Sequence, residues 1–316
     1  MSMPTELVPE QKSGHVSSSS SRAADIRGSS SANLRQSAEV HPELPVTIIE
    51  ARPGWRFVNL RDLWRYRELL YFLTWRDIKV RYKQTVLGAA WAILQPFATM
   101  VVFSLFFGRL ASMPAGGVPY PLFVFAGLLP WYFFSNAITS GSQSVVGNQN
   151  LVTKVYFPRL IIPLSAVGAS LVDFVIGFAM LLVIMLYYGV MPGWEIILVP
   201  VIAFGLLLAA TGVGTLLSAL TVAYRDFRYV VPFMVQLWMF ATPSIYLSAE
   251  AFGSPRWQAV LPFNPAYGLI ANFRAAALGE PFDWYSLSIS TGVSLAILLA
   301  GCLYFRRVER WFADIV

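Results

Sequence analysis

Long uncharged runs alternate with short polar segments over most of the chain beyond residue 85. The first run, from Val86 to Gly108, carries no charge over its whole length. An apolar run of about 14 residues can still be a buried helix of a soluble protein, whereas about 20 residues are needed to cross a bilayer. The pattern therefore predicts an all-α integral membrane protein with six spans. The predicted spans are 86–108, 118–141, 160–191, 196–224, 229–249 and 284–305.

Residues 51–85, just before the first span, predict an amphipathic interfacial helix on the cytoplasmic membrane surface. One face is apolar through i, i+3 and i+4 spacing. Its residues are Leu63, Tyr66, Leu70 and Leu73. The basic residues expected to contact lipid headgroups are Arg65, Arg76, Lys79, Arg81 and Lys83. Such a basic surface can serve simple anchoring or the binding of a lipid diphosphate.

Two further segments do not have the pattern of a span. Residues 1–50 are rich in serine and lack aromatic side chains, so we expect a disordered cytoplasmic tail that cannot bury enough apolar surface to fold. Residues 256–274 are apolar but too short to cross a membrane, and Pro262 and Pro265 interrupt them. We therefore predict a re-entrant helical segment on the outer side, between the last two spans.

The Lys and Arg residues indicate how the spans are oriented. If both termini are cytoplasmic, the inner segments, including the short C-terminus at 306–316, hold sixteen of them outside the tail, and the outer segments hold three. Short cytoplasmic loops of membrane proteins carry an excess of these residues. The distribution therefore predicts two cytoplasmic termini. The same retention of basic residues explains the formal net charge of +6 without a nucleic-acid partner.

The chain offers little material for catalysis or metal binding. Its charged fraction is 13%, against about 25% for an ordinary soluble domain. Both histidines lie in the first 50 residues, and the single cysteine, Cys302, excludes an intrachain disulfide and a metal site built from several thiolates. No Gly-Lys dipeptide occurs, so the phosphate-binding loop of ATPases is absent. We expect no catalytic residue, no metal and no cofactor bound by this chain.

Asp173 is the one acidic residue inside the third apolar run. The sequence around it contains no second acid and no basic residue that would be expected to pair with it. Acids within membrane segments often belong to transport pathways or proton relays. A hydrogen bond to a neighbouring helix, or a hydrated position, explains this acid equally well.

The residues that lead into the first span also resemble a known family. Arg-Asp-Ile-Lys-Val-Arg-Tyr at 76–82, followed by Leu-Gly-Ala-Ala-Trp-Ala-Ile-Leu-Gln-Pro at 87–96, is similar to the first membrane segment of bacterial ABC-2 type exporter permeases. Within that group the resemblance is to permeases that export O-antigen, capsular polysaccharide or teichoic acid. Tyr-Arg-Asp-Phe-Arg at 224–228 and the segment 264–274 are similar too, and the resemblance covers roughly 61–311.

The resemblance implies a function and a set of partners. The permease domain at 86–305 would act as a homodimer with two separate ABC ATPase subunits, which would hold the ATP and Mg²⁺. The cargo would be a polysaccharide linked to a polyprenyl diphosphate, moved outward across the bacterial inner membrane. Alternatives are a permease for teichoic acid, a small lipid or a drug, and, in a different class, a membrane-embedded glycan transferase. A transferase needs clustered acids, bases or metal ligands, which the sequence lacks.

The resemblance also implies two sets of functional residues. The segment 148–159, between the second and third spans, is expected to dock into the ATPase as a short helix closed by a proline. Its contact residues are Asn150, Lys154, Tyr156, Phe157, Pro158 and Arg159. The first and fifth spans are expected to line a channel at the dimer centre, although the spacing of the chosen residues fits simple helix packing equally well. The channel residues are Trp91, Gln95 and Val102 with Phe233, Leu237 and Phe240.

Overall fold

The computed structural model describes residues 60–83, 90–110, 117–245, 259–309 and 312. The predicted tail at 1–50 lies outside the described residues. The described part is almost entirely helical and contains no strand, which confirms the all-α class. Its α-helices are α1 Leu60–Arg65, α2 Arg67–Lys83, α3 Ala90–Phe103, α4 Tyr120–Gly147, α5 Gln149–Lys154, α6 Ile161–Tyr187, α7 Val199–Ala223, α8 Phe227–Phe240, α9 Tyr267–Leu278 and α10 Trp284–Val308.

Five helical stretches among the described residues are long and apolar enough to cross a membrane. They are Ala90–Gly108, Tyr120–Gly147, Ile161–Tyr187, Trp194–Ala223 and Trp284–Val308, and each coincides with a predicted span. A π-helical turn, Ser104–Leu110, completes the first of them. The second continues past its predicted end to Gly147, and in this part the hydroxyls of Ser142 and Ser144 donate to carbonyls of their own helix at 2.8 and 2.7 Å.

The region of the predicted fifth span, 229–249, contains a shorter helix. α8 has 14 residues, which at about 1.5 Å per residue reach about 21 Å, less than the roughly 30 Å of a hydrocarbon core. A 3₁₀ turn at Pro243–Ile245 follows, at a proline that lacks the amide hydrogen needed to continue an α-helix. Residues 246–258 lie outside the described residues, so the fifth span, and with it the total of six, stays a prediction.

α4 forms the centre of the bundle. Nineteen of its 28 residues are buried, and it packs against α3, α6, α7, α8 and α9. Small residues bring the helix backbones close together: Gly141 of α4 lies beside Gly214 of α7, and Gly212 of α7 lies beside Gly301 of α10. A Cβ atom at Gly212 would be 2.7 Å from the Cα of Leu298. These glycines allow close approach of the helix backbones.

α2 runs alongside α6. Thr74 lies beside Gly168, and seven residues later Arg81 reaches Asp173, so the two helices advance in the same direction. The predicted apolar face packs against a cluster that includes Phe157. Of that face, Leu73 is buried, and Leu63, Tyr66 and Leu70 are partly buried.

α9 lies in the predicted re-entrant segment and is almost wholly enclosed, with 11 of its 12 residues buried. It packs against α4, α7 and α10, and it ends at Gly279, whose φ of 72° suits glycine. The Asn272 amide donates to the carbonyls of Gly268 and Asp283 at 2.8 and 3.1 Å. Arg274, the last residue of the segment predicted on the outer side, is buried with its Nε donating to Glu280 at 3.3 Å. These partners compensate polar groups that enclosure removes from water.

Candidate functional site at the junction of α2, α3, α4 and α6

The acid inside the third span has a basic partner. Arg81, at the end of α2, donates from Nη1 to one carboxylate oxygen of Asp173, and Tyr82 donates its hydroxyl to the other. The Arg81 side chain is 33% exposed and that of Asp173 is 16% exposed. A carboxyl group enclosed by apolar helices requires such partners, because the helices cannot replace its contacts with water. The expectation that no basic residue pairs with Asp173 is therefore wrong, because the partner is 92 residues earlier in the chain.

Tyr82 strengthens this network as a hydrogen-bond donor. Its partial burial raises the pKa of the phenol, and the hydrogen bond to Asp173 and the negative charge of that residue raise it further. The hydroxyl therefore keeps its proton at neutral pH. We call Arg81, Tyr82 and Asp173 the polar triad; it ties the end of α2 to the middle of α6.

A cavity of about 350 Å³ opens beside the polar triad. It reaches the size range of small-ligand sites, which begins at about 300 Å³. Its aromatic lining consists of Trp91, Tyr132, Phe133 and Phe174. Its polar lining consists of the triad with Gln95, Asn136, Thr139 and Ser140. We call it the triad cavity.

The polar groups of the triad cavity favour hydrogen bonding to a ligand with many hydroxyls. Tyr132 is already bonded to Thr99 at 2.6 Å, but the Asn136 amide has no hydrogen-bond partner within the described part of the chain. Arg81 and Asp173 neutralise each other, so the cavity has no excess charge to attract an ion. Among the described residues no group of three His, Cys, Asp or Glu side chains could hold a metal. The arrangement suits binding and offers no constellation for catalysis.

The predicted channel residues are divided between two places. Trp91 and Gln95 line the triad cavity on α3. The other four lie exposed on the protomer surface outside it, Val102 on α3 and Phe233, Leu237 and Phe240 on α8. Both helices pack against α4. These faces are open to a second protomer, cargo or lipid, and each channel role stays a prediction.

The predicted coupling segment forms a short helix, α5, followed by an extended turn. Asn150, Lys154 and Tyr156 are exposed, the last at 79%. Phe157 is buried at 6% exposure in the cluster below α2, and Arg159 donates to the carbonyl of Glu309. Pro158 is partly buried. The aromatic side chain that this surface offers a partner is therefore Tyr156.

Four of the five basic residues assigned to lipid headgroups are exposed on α1 and α2, namely Arg65, Arg76, Lys79 and Lys83. Arg76 donates to Asp77 and to Asn148, both at 2.8 Å, and so also ties α2 to the start of α5. Arg81 lies in the triad. The sequence did contain one signal for the pair between Arg81 and Asp173. An acid within an apolar run requires a cationic partner, which must come from another segment.

Comparison with known proteins gives consistent matches. The ABC-2 type transporter family matches residues 68–278, which include all but the first residue of α2, the triad and the coupling segment. The O-antigen export system permease protein RfbA of Myxococcus xanthus is 32% identical, over 81% of this chain and 98% of that protein. RfbA of Klebsiella pneumoniae is 27% identical, over 79% and 95%. The polysialic acid transport protein KpsM of Escherichia coli is 23% identical, over 74% and 91%.

Proposed function

We propose that this chain, which belongs to the ABC-2 type transporter family, is the permease subunit of an exporter that carries a polysaccharide out of the cytoplasm. The observation that supports this cargo most directly is the 32% identity to an O-antigen export permease over 98% of that protein. The relationship to a polysialic acid transport protein supports a glycan as the class of cargo. We therefore favour a surface polysaccharide such as O-antigen over a drug or a small lipid.

Transport is driven by ATP bound with Mg²⁺ on two separate ATPase subunits. The absence of a phosphate-binding loop from the sequence supports a separate ATPase chain. The coupling segment, with Tyr156 at its exposed turn, provides the docking contact. The permease works as a homodimer, and the exposed apolar faces of α3 and α8 line the channel between the two copies.

The chain crosses the bacterial inner membrane six times with both termini in the cytoplasm. α8 belongs to the fifth span, and α9 belongs to a re-entrant segment. The enclosure of α9 supports this assignment, since a short helix at membrane depth must have its free backbone groups satisfied by protein. The excess of basic residues in the inner segments supports the orientation.

The cargo is linked to a polyprenyl diphosphate, and its sugars contact the triad cavity on their way to the channel. Aromatic rings offer flat apolar surfaces, while amides and hydroxyls provide hydrogen bonds to sugar hydroxyls. Transport requires contacts that bind weakly and release. A cavity with paired charges meets that requirement better than one with a free ion.

The decisive experiment deletes the gene and analyses lipid-linked glycan. We expect loss of surface polysaccharide together with accumulation of polymer on the cytoplasmic side, and restoration of both by the wild-type gene. Unchanged surface polysaccharide would exclude this cargo. Loss of polymer without accumulation inside the cell would instead indicate the glycan transferase.

A further inference from the structure

A second cavity, of about 410 Å³, opens where α4 meets α5 and where α7 leads into α8. It is lined by Val146, Gln149, Thr221, Val222, Arg225, Arg228 and Tyr229. It shares no lining residue with the triad cavity. The proposed transport path does not pass through this second cavity, so transport of the polymer does not explain which side chains line it. We call it the arginine cavity.

Two guanidinium groups line the arginine cavity without a compensating acid. The side chains of Arg225 and Arg228 have no ion-pair or hydrogen-bond partner among the residues that the structure describes. Asp226 lies between them in sequence but does not contribute to the lining. Two like charges that face one cavity repel each other, and an anion between them removes that repulsion.

The other groups of the cavity also favour an anion. α8 begins at Phe227, so the positive end of its helix dipole lies beside the cavity. The Gln149 amide and the Tyr229 hydroxyl can donate further hydrogen bonds. The Thr221 hydroxyl contributes no donor, because its hydrogen is committed to the Leu217 carbonyl at 2.8 Å.

We propose that the arginine cavity binds a phosphate-bearing lipid headgroup through Arg225 and Arg228. Guanidinium groups match phosphate oxygens with two parallel hydrogen bonds each. Val146 and Val222 give the cavity an apolar wall at the ends of two membrane-length helices, which places a lipid within reach. The site goes beyond the proposed function because it does not depend on which polymer is exported. The phosphate comes either from a polyprenyl diphosphate or from an anionic phospholipid.

The test measures binding to the purified full-length chain in dodecyl maltoside, a detergent without phosphate. The probe is farnesyl diphosphate, with farnesol as the uncharged comparison. We expect the Arg225→Gln/Arg228→Gln variant to bind farnesyl diphosphate about tenfold or more weakly than wild type, since hydrogen bonds to charged groups are the strong ones. The Arg225→Lys/Arg228→Lys variant keeps both charges and should bind with intermediate affinity, because lysine lacks the planar fork.

Arg306→Gln is the matched control, because it removes a basic side chain from the last turn of α10, outside the cavity. Equal binding by wild type and the double glutamine variant, or an equal loss in Arg306→Gln, would overturn the site. Loss of ATPase association by a variant that still binds the probe normally would also overturn it and indicate a protein contact.

Competition by phosphatidylglycerol distinguishes the two lipid sources. If phosphatidylglycerol displaces farnesyl diphosphate at a concentration similar to that of the probe, the site belongs to phospholipid headgroups. If phosphatidylglycerol does not displace the probe, the site belongs to the diphosphate carrier. Both outcomes support a phosphate site. Since the assay measures no export, its failure leaves the proposed function untouched.

Discussion

α3 and α4 follow each other in the chain and are both apolar, yet they occupy opposite environments. Only 17% of the most apolar part of the first span is buried, against 78% of the second. A run of apolar residues predicts that a helix lies in a membrane, but it does not predict whether the helix faces protein or lipid. α4 provides the packing surface for its neighbours, whereas α3 leaves Trp91 and Val102 open to a ligand, a second protomer or lipid.

The same contrast separates α9 from α8. α9 is enclosed, and its polar side chains are hydrogen-bonded or paired within the bundle. α8 buries only two residues, Val231 and Val235, and exposes the rest of its apolar side chains or leaves them partly buried. The enclosed helices thus form a packed framework. The triad cavity and the arginine cavity both open beside the more exposed helices. Substitutions should therefore affect stability in the framework and transport at its exposed helices.

The sharpest comparison is between two adjacent aromatic residues. Phe157→Ala should lower the free energy of unfolding by about 3–5 kcal/mol, because it removes a buried ring from the cluster below α2. Tyr156→Ala should change stability by less than about 0.5 kcal/mol, since its side chain is exposed. The same tyrosine variant should weaken ATPase association by about 2 kcal/mol or more.

Thermal unfolding in detergent and co-purification of the ATPase measure these two effects separately. A stable Phe157→Ala protein that has lost its ATPase would contradict the assignment of this side chain to the framework. In that case Phe157 would be a docking residue, as the family resemblance alone suggests.

The next largest effect is expected where α7 crosses α10. Gly212→Ala places a methyl group 2.7 Å from the Cα of Leu298 and should cost about 1–3 kcal/mol of stability. Gly292→Ala is the matched control, because a Cβ there meets no atom within 4 Å. It should be neutral or stabilising by up to about 1 kcal/mol, since alanine favours helix. Equal melting temperatures for the two variants would show that this crossing is not tightly packed.

The elements that were predictable from sequence are those that depend on local pattern. Five of the spans follow from runs of apolar residues. The pair between Arg81 and Asp173 was not predictable, because it depends on α2 running along α6. The burial of Phe157 was missed for a similar reason: adjacent aromatic residues look alike until the packing of the turn is known.

The polar triad connects an exposed helix to the framework and should show an intermediate effect. Arg81→Gln or Asp173→Asn alone should destabilise the protein by about 1–2 kcal/mol, less than a fully buried pair because Arg81 is one-third exposed. The double variant should be less destabilised than the sum of the two, with a coupling of about 1 kcal/mol. Denaturant unfolding of all four proteins measures this coupling. Strict additivity would show that the two side chains act independently.

The smallest effect on stability is expected at the exposed channel candidates. For these variants, the effect on export should be large compared with the effect on stability. Trp91→Ala and Phe240→Ala should each change stability by less than about 0.5 kcal/mol, because both side chains are more than half exposed. If their rings contact the sugar chain, each variant should slow export several-fold, since aromatic contacts contribute about 0.5–1.5 kcal/mol beyond area burial. Dimer assembly and basal ATPase activity should be unchanged.

Leu94→Ala provides the control for α3, because Leu94 is also exposed but lies outside the triad cavity. Export assays in whole cells should separate Trp91→Ala from this control and should show partial recovery in Trp91→Phe, which keeps an aromatic face. Equal export by Trp91→Ala and Leu94→Ala would place both side chains in lipid. α3 would then differ from α4 only by lying at the periphery, and the transport path would have to follow another surface.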